Sequence, residues 1–381
     1  MSAASGRPSL SASLRATAPA WLASRALVLV AYLVASQAVA HGWIHKATAQ
    51  SRIDQGLLGW DAGWYRAIAG HGYVPLGRES TRFFPLWPEM VRGVHLLGVP
   101  TSWVLVGGAS LLWWAALIAV DQLGASLAFD AGRRTIAIWL LCLLPGAVAT
   151  VLGYSEPLLV VLVAAALAVV YRPAGRSSPS AGAWLVIAIL GVLAGATRPV
   201  GVLLAIPIAI EAWRRRSTGA AKVASIVALC SPLLGAGAYL MWVQSAFGDA
   251  LAPLRVQTEA GHHGSLTNPI AGVLHGVSLA AHGHLGALLH LPWVAVALVA
   301  VALGVRKLPL SATVYAVGIL ALALGGQNLD SFERYLLAVP TLFLVAAGWL
   351  GNRLVRISVL VVLAAGLVLT SALVFADYLV P

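Results

Sequence analysis

Long apolar stretches set what this chain of 381 residues can fold into. A helix crosses the apolar core of a bilayer in about 20 residues. Five apolar stretches have that length, at 20–42, 101–123, 221–246, 285–305 and 354–376. Three more are too long for one crossing, and each has a polar or Pro/Gly interruption: 135–171, 181–213 and 308–350. Splitting these three at their interruptions predicts about eleven transmembrane helices.

The composition supports this prediction. The chain is 60% hydrophobic and 10% charged, whereas a soluble domain carries about 25% charged residues. We therefore expect an all-α polytopic membrane protein with a single transmembrane domain, residues 1–381. No cleavable signal is expected, because the polar start runs into an apolar stretch without a small-residue cleavage site.

The distribution of charge predicts the orientation. With the N-terminus cytoplasmic, the inner segments hold fifteen basic and three acidic residues, and the outer segments hold nine and ten. Cytoplasmic loops are enriched in Lys and Arg, so the net charge of +11 reflects topology, and no nucleic-acid partner is expected. This predicts a cytoplasmic tail at 1–19, extracytoplasmic loops at 43–100 and 247–284, and a multi-pass protein of the plasma (inner) membrane.

The unusual polar residues gather on the predicted outer side. All three interruptions fall there, as "GYSEP" (153–157), "ATRPVG" (196–201) and "GQNLDSFER" (326–334). With the first long loop they bring four ionisable residues to that face: Asp61, Glu156, Arg198 and Arg334. An ionisable residue at membrane depth is a functional candidate.

Each of the four also has a structural interpretation. Asp61 fits the start of an interfacial helix that it would cap, and Glu156, before a proline, fits a conventional helix start. Arg198 precedes a proline that should open a helix, where the helix dipole disfavours a cation. A bound anion would resolve that conflict, and so would snorkelling to the interface. Arg334 fits a local ion pair with its neighbours Glu333 and Asp330.

Three other patterns in the sequence are less specific. Histidines 262, 263, 275, 282, 284 and 290 lack a Cys or carboxylate at zinc spacing, which favours a solvated loop over a metal site. Aromatic residues near the outer surface fit either an interfacial belt or a surface on which a sugar stacks. "GVLAG" (191–195) has the GxxxG spacing of closely packed helices.

The first loop also resembles a known family. "WDAGWYRAIAGHGY" (60–73), Glu79 and "FFPLWP" (83–88) resemble the first luminal loop of PIG-V-type mannosyltransferases, a pattern that bacterial relatives share. "YSEPL", "ATRPVG" and "FERYLL" resemble later motifs of this family, in the same order. The resemblance implies a GT-C-type bundle with an interfacial helix in its first outer loop. It also implies a polyprenyl-phosphate sugar donor, and mannose as that sugar follows from the resemblance alone.

In this interpretation, Asp61 is the catalytic carboxylate. Many GT-C enzymes carry paired acids at this position, whereas Ala62 follows Asp61 here. A metal bridged by this motif is therefore not favoured, no cofactor is expected, and Glu79 or Glu156 would be the second acid. Asp61 would act as general base in a single inverting displacement. One carboxylate suffices because a phosphodiester leaves as a stabilised anion.

The remaining assignments concern substrates. Arg198 and Arg334 would bind the donor phosphate, and the acceptor would be a glycolipid or glycan, with membrane lipids around the bundle. The expected substrate-binding residues are Trp60, Trp64, Tyr65, Arg66, Tyr73, Glu79, Arg82, Phe84, Tyr154 and Glu156. Two alternatives stay open: a GT-C enzyme for glucose or arabinofuranose, and a transporter or lipid flippase, which would show repeated halves and charges near the membrane midplane.

Overall fold

The computed structural model describes residues 7–172, 178–259, 264, 267–326 and 329–381, and every regular element in these ranges is helical. The all-α prediction is therefore confirmed. Short 3₁₀ segments separate several of the α-helices. The α-helices are α1 Leu10–Ala40, α2 Ala49–Gln55, α3 Asp61–His71, α4 Leu86–His95, α5 Thr101–Ser126, α6 Ala131–Leu143, α7 Glu156–Val170, α8 Ala181–Thr197, α9 Ala205–Arg215, α10 Gly219–Phe247, α11 Ala252–Gln257, α12 Pro269–Ala281, α13 Leu285–Gly304, α14 Leu310–Ala323, α15 Phe332–Leu337, α16 Pro340–Ala346 and α17 Arg353–Phe375.

Five helices are long and apolar enough to cross a membrane: α1, α5, α10, α13 and α17. They coincide with the five single apolar stretches of the sequence. Large apolar side chains remain exposed along them, such as Leu29 on α1 and Val362 on α17, as expected for surfaces that face lipid. The chain is therefore an integral membrane protein.

The three longer stretches are broken where the sequence predicts, but their pieces are short. The first contains α6, a 3₁₀ segment Pro145–Thr150 and α7; the second contains α8, a 3₁₀ segment Pro199–Leu204 and α9. The third contains α14, α15 and α16. Helices of 6 to 17 residues do not span a bilayer alone, so the count of eleven crossings stays a prediction, as does the orientation.

The predicted first loop, residues 43–100, is largely helical and contains α2, α3 and α4. The interfacial helix expected there is α3. Its residues Ala62, Tyr65, Ile68 and Ala69 are buried, and their three-to-four-residue spacing gives the helix one apolar face. That face packs against α4 and α5, which fixes the start of α3, and with it Asp61, at the end of the bundle.

The second loop, residues 247–284, is not an open loop. It contains α11 and the apolar helix α12. The sequence prediction missed α12 because its 13 residues are only about two-thirds of the length of a membrane crossing.

Helix α8 lies in close contact with α10, as the GxxxG spacing predicts. A Cβ atom added at Gly195 would collide with the backbone of Pro232, and one added at Gly235 would collide with the carbonyl group of Val192. Such close approach allows extensive van der Waals contact between the two helices. Arg198 follows the last residue of α8, so this packing also fixes the position of Arg198.

A buried ion pair ties three helices together at the end of the bundle where α5 finishes. Arg134 donates through Nε to Asp121 Oδ1 at 2.9 Å, and the Ser13 hydroxyl donates to Asp121 Oδ2 at 2.6 Å. Just beyond α5, Ala128 adopts a left-handed backbone conformation with φ 60°. That conformation closes the helix, and glycine is the residue that favours it.

Candidate functional site

The four ionisable residues singled out from the sequence meet in one place. Arg334 Nη2 lies 3.0 Å from Asp61 Oδ2, Arg198 Nη1 lies 2.5 Å from Glu156 Oε1, and Arg334 also contacts Glu156. We call Asp61, Glu156, Arg198 and Arg334 the charge cluster. Two carboxylates and two guanidinium groups, from four separate parts of the chain, balance one another there.

The N-cap residue of α3 is Trp60, Asp61 is the first residue of the helix, and the hydrogen bond described for the Asp61 side chain comes from Arg334. The interpretation of Asp61 as a helix cap is therefore wrong. Its carboxylate points to Arg334, while its backbone amide donates to the Tyr154 hydroxyl at 3.2 Å. The preceding residue, Trp60, has φ 56°, which is unusual for a large side chain. This turn directs the Asp61 carboxylate into the cluster.

Glu156 begins α7 after Ser155, as expected, and is almost fully buried. Its Oε1 atom accepts hydrogen bonds from both Arg198 and Arg334. Its Oε2 atom is buried without a hydrogen-bond partner among the described residues. A small cavity of about 10 Å³ adjoins Glu156, Arg198 and Arg334, close to the least space that a water molecule needs.

Arg198 lies in extended conformation immediately before Pro199, which opens a 3₁₀ segment. A bound anion and snorkelling to the interface were the two interpretations of a cation at this position, and the partner in the structure is the carboxylate of Glu156. Arg198 also donates to the Ser155 hydroxyl at 3.4 Å. The hydrogen bonds described for Arg198 use only Nη1.

Arg334 forms hydrogen bonds through more of its guanidinium nitrogens than Arg198 does. Nε donates to Glu156, Nη2 donates to Asp61 and Glu156, and Nη1 donates to the oxygen of Pro381 at 2.8 Å. The guanidinium carbon lies 4.9 Å from the centre of the Tyr154 ring. A local pair with Glu333 or Asp330 was the structural interpretation of Arg334, and it is wrong.

Glu333 instead pairs with His290, whose Nδ1 lies 2.7 Å from Glu333 Oε2. His290 is a buried residue of α13, so its interpretation as a solvated loop histidine is also wrong. The periodicity of α13 gave no signal for this pair, because its partner is 43 residues away. His262 and His263 lie outside the described residues.

Exposure divides the charge cluster into two layers. The side chains of Asp61 and Arg198 are 27% and 21% exposed, whereas those of Arg334 and Glu156 are 9% and 4% exposed. One acid and one cation can therefore be reached from outside, and each contacts a buried residue of opposite charge.

The electrostatic environment keeps Asp61 ionised. Burial raises the pKa of the Asp61 carboxyl, but the guanidinium groups of Arg334, Arg82 and Arg198 and the hydrogen bond from Arg334 lower it by more. The pKa therefore lies below its ordinary value of 3.8. At neutral pH the carboxylate is therefore deprotonated, which is the form that can accept a proton.

Two of the predicted aromatic residues, Trp60 and Trp64, flank Asp61 in the chain. The Trp60 ring lies under the guanidinium group of Arg52, at 3.8 Å from the ring centre. Trp64 stacks on Phe83 with ring centres 5.7 Å apart, and Arg82 lies 5.8 Å from the Trp64 ring centre. Both tryptophans are only partly buried, so part of each ring remains accessible.

The other predicted substrate-binding residues divide by burial. Tyr65 and Tyr154 are buried beneath the cluster, where the Tyr65 hydroxyl lies 2.7 Å from that of Ser155. Tyr73 and Phe84 pack instead against Tyr239 of α10. Arg66 is exposed, and Glu79 lies 4.0 Å from Arg82.

Two contributors to the site, Ser155 and Arg52, were not among the residues predicted from the sequence. Ser155 bridges Tyr65 and Arg198, and its position within "GYSEP" was the available signal. Arg52 contacts Trp60 and also pairs with Asp377 at 3.0 Å. No sequence pattern indicated that residues 325 positions apart would meet.

Within the ranges that the structure describes, no group of three or more His, Cys, Asp or Glu side chains is placed to hold a metal ion. The charge cluster itself contributes two carboxylates, and both contact guanidinium groups. Independence from metal stays a prediction.

Comparisons with known proteins give limited information. No family model matches the chain, and no curated protein matches it. Two solved structures of an oligosaccharyltransferase from Archaeoglobus fulgidus resemble it. The first, a crystal structure of the complex with zinc and sulfate, has a TM-score of 0.45 at 15% identity and covers 83% of this chain and 48% of that one. The second, of the enzyme AglB with an inhibitory peptide and a dolichol-phosphate, has a TM-score of 0.44 at 13% identity, with 83% and 51% covered.

The chain thus spans about half the length of the solved structures that it matches. Similarity at this level defines neither a family nor an activity, so function must be inferred from the geometry of the site.

Proposed function

We propose that this protein is a membrane glycosyltransferase of the GT-C class. It would move a sugar from a polyprenyl-phosphate donor to a hydroxyl of a glycolipid or glycan at the extracytoplasmic face of the plasma membrane. The proposal rests mainly on which side chains of the charge cluster are exposed. The two that can be reached from outside are a carboxylate, Asp61, and a cation, Arg198.

The reaction needs these two charges. Asp61 removes the proton of the acceptor hydroxyl as the acceptor oxygen bonds to the anomeric carbon. The bond between that carbon and the phosphate oxygen breaks, and its electron pair stays on the phosphate. A single displacement of this kind inverts the anomeric centre. Since the described contact with Arg334 uses Oδ2, Oδ1 is our candidate for the atom that accepts the proton.

Arg198 is the better of the two candidates for binding the donor phosphate. Its described hydrogen bonds use one nitrogen, whereas those of Arg334 use all three. An arginine with unused N–H groups can form the paired hydrogen bonds that phosphate favours. Arg334 would hold Asp61 and add positive charge from behind it, which stabilises the leaving phosphate.

The buried layer explains why the site is stable before substrate binds. An unpaired charge inside a protein is costly. Glu156 contacts both arginines, and Asp61 supplies the second negative charge. A donor phosphate would then compete with Glu156 for Arg198. The exposed parts of Trp60 and Trp64 lie beside Asp61 and provide flat surfaces on which a sugar ring can stack.

The identity of the sugar rests on the resemblance of residues 60–88 to PIG-V-type enzymes, which favours mannose. Glucose and arabinofuranose are the alternatives. A transporter would hold its charges near the membrane midplane, whereas Asp61 and Glu156 lie at the first residues of α3 and α7.

Sugar transfer by the purified full-length protein tests the proposal. Radiolabelled polyprenyl-phosphate-mannose is supplied with extracted envelope glycolipids, for the wild type, Asp61→Asn and Asp54→Asn. Asp54 is an exposed acid of α2 outside the cluster, so its variant controls for loss of charge in the same loop. We expect Asp61→Asn to lose transfer by a factor of about 10² to 10⁴, the contribution of a general base.

Full transfer by Asp61→Asn would remove Asp61 from the chemistry. A wild type that transfers no sugar from mannosyl, glucosyl or arabinofuranosyl polyprenyl phosphates would overturn the glycosyltransferase assignment itself.

A further inference from the structure

A second cavity, of about 680 Å³, opens far from the charge cluster. Helix α7 begins at Glu156 in the cluster, and the residue after its last turn, Tyr171, lines this cavity. The 15 residues of α7 rise about 22 Å, so the two sites lie at opposite ends of the bundle. The volume falls within the range of known ligand pockets.

The charged lining of this cavity is mainly basic. Arg214, Arg215 and Lys307 face a single carboxylate, Glu211. Glu211 Oε1 lies 3.2 Å from Arg214 Nη1, and Glu211 Oε2 lies 3.0 Å from Arg215 Nε. Three cations against one acid leave the lining with a positive charge, which attracts an anion.

Two of these cations, Arg214 and Arg215, are held in place by Glu211. Glu211 is buried, and it accepts a hydrogen bond from the Ser311 hydroxyl at 2.7 Å. The Tyr171 hydroxyl lies 3.0 Å from that of Ser311. The ion pairs described for Arg214 and Arg215 use one nitrogen of each guanidinium, and a guanidinium carries five N–H donors in all. Donors therefore remain for a planar or tetrahedral oxyanion.

The surroundings indicate a lipid as the source of that anion. Trp213, next to Arg214, is 81% exposed, and exposed tryptophan is typical of the membrane–water interface. Leu310, which follows the cavity residue Pro309, is 61% exposed at the start of the apolar helix α14. A ligand here would have its charged group among the arginines and its apolar part along exposed helix surfaces.

We propose that this cavity binds the phosphate headgroup of an anionic membrane lipid. The positive-inside distribution predicts that this end lies in the cytoplasmic leaflet, where anionic lipids lie and where basic pockets between helices bind their headgroups. The site is distinct from sugar transfer and does not depend on it.

Lipid binding by the full-length protein tests this proposal without any sugar donor. The protein is titrated in detergent with phosphatidylglycerol, and separately with zwitterionic phosphatidylcholine, and retained lipid is counted by native mass spectrometry. The test variant is Arg214→Gln with Lys307→Gln. It leaves Glu211 paired with Arg215 and Ser311, so the buried carboxylate keeps its partners.

The matched control is Lys222→Gln with Arg306→Gln, two exposed residues that do not line the cavity. Each cation that faces a bound anionic headgroup contributes roughly fivefold in affinity, and Lys222 and Arg306 do not face the cavity. We therefore expect the test variant to bind phosphatidylglycerol about 25-fold more weakly than the wild type, with the control unchanged. Elution as a single species verifies that each variant is folded.

Two results would overturn the proposal. Equal binding by the test and control variants would show that the phospholipid associates without using this cavity. In a third arm, inorganic pyrophosphate is titrated in lipid-free detergent. Pyrophosphate binding that depends on Arg214 and Lys307, with no selective lipid binding, would assign the cavity to a soluble phosphate compound.

Discussion

Replacing Arg334 by glutamine tests whether the charge cluster organises this end of the bundle. Arg334 is 9% exposed and contacts Glu156, which is 4% exposed. Removing one partner of a buried ion pair costs about 3–5 kcal/mol, because the remaining charge stays buried. Glu156 would keep only Arg198, and Asp61 would lose its hydrogen bond. We expect Arg334→Gln to lower the free energy of unfolding by about 3–5 kcal/mol.

The assay is unfolding in mixed micelles by increasing denaturing detergent, followed by far-UV circular dichroism. Arg92→Gln is the matched control, because Arg92 is an exposed residue of α4, and surface substitutions usually change stability by less than about 0.5 kcal/mol. The double variant Glu156→Gln with Arg334→Gln removes both charges of the pair. Since its carboxylate is gone, the double variant should be at least about 1 kcal/mol more stable than the sum of the single effects predicts.

The reasoning fails if Arg334→Gln is as stable as Arg92→Gln. It also fails if the two single effects add without coupling, since that would mean that Glu156 and Arg334 do not depend on each other.

Three further predictions concern the base, a helix end and a helix contact. Arg82→Gln removes a charge that lowers the pKa of Asp61, so the pKa rises and sugar transfer should be lost at a higher pH as the solution is acidified. Ala128→Gly relieves a left-handed backbone conformation and should stabilise the protein by about 1 kcal/mol in detergent unfolding. Gly195→Ala places a Cβ atom against the Pro232 backbone and should destabilise it by about 1–3 kcal/mol.

Each of these three variants has a matched control variant. Arg78→Gln, in the same 3₁₀ segment as Arg82, should leave the acid limb of the pH profile in place, and an equal shift would show a general charge effect. Ala125→Gly lies inside α5 and should have the opposite sign to Ala128→Gly, at about 1 kcal/mol. Gly237→Ala meets no atom within 4 Å and should not destabilise. Loss of stability there equal to that of Gly195→Ala would refute the packing argument.

The sequence predicted the fold best where a structural element depends on residues close together in the chain. An apolar run of 20 residues has few alternatives to a membrane helix, so α1, α5, α10, α13 and α17 were predicted. The polar interruptions also predicted where helices would break. The helix α12 was missed because its 13 residues are too few to read as a crossing.

The site was predictable in part, for a related reason. The topology prediction placed four ionisable residues on one membrane face, but it did not indicate which of them would pair: Asp61, Glu156, Arg198 and Arg334. The pairing depends on helix packing, which brings Arg334 to Asp61 instead of to its neighbours. His290 and Glu333 form a pair that no local pattern indicates, and burial of Tyr154 likewise depends on the assembled bundle.

The spacing of the charge cluster along the chain has a consequence for biosynthesis. Glu156 and Arg198 are 42 residues apart, whereas Arg334 follows Glu156 by 178 residues and Asp61 by 273. As the chain is made from its N-terminus, Glu156 gains a counter-ion early, but Asp61 waits until most of the later helices have been synthesised. A ribosome-bound intermediate that ends before Arg334 therefore lacks the ion pair between Arg334 and Asp61, and insertion of Arg334 completes the charge cluster.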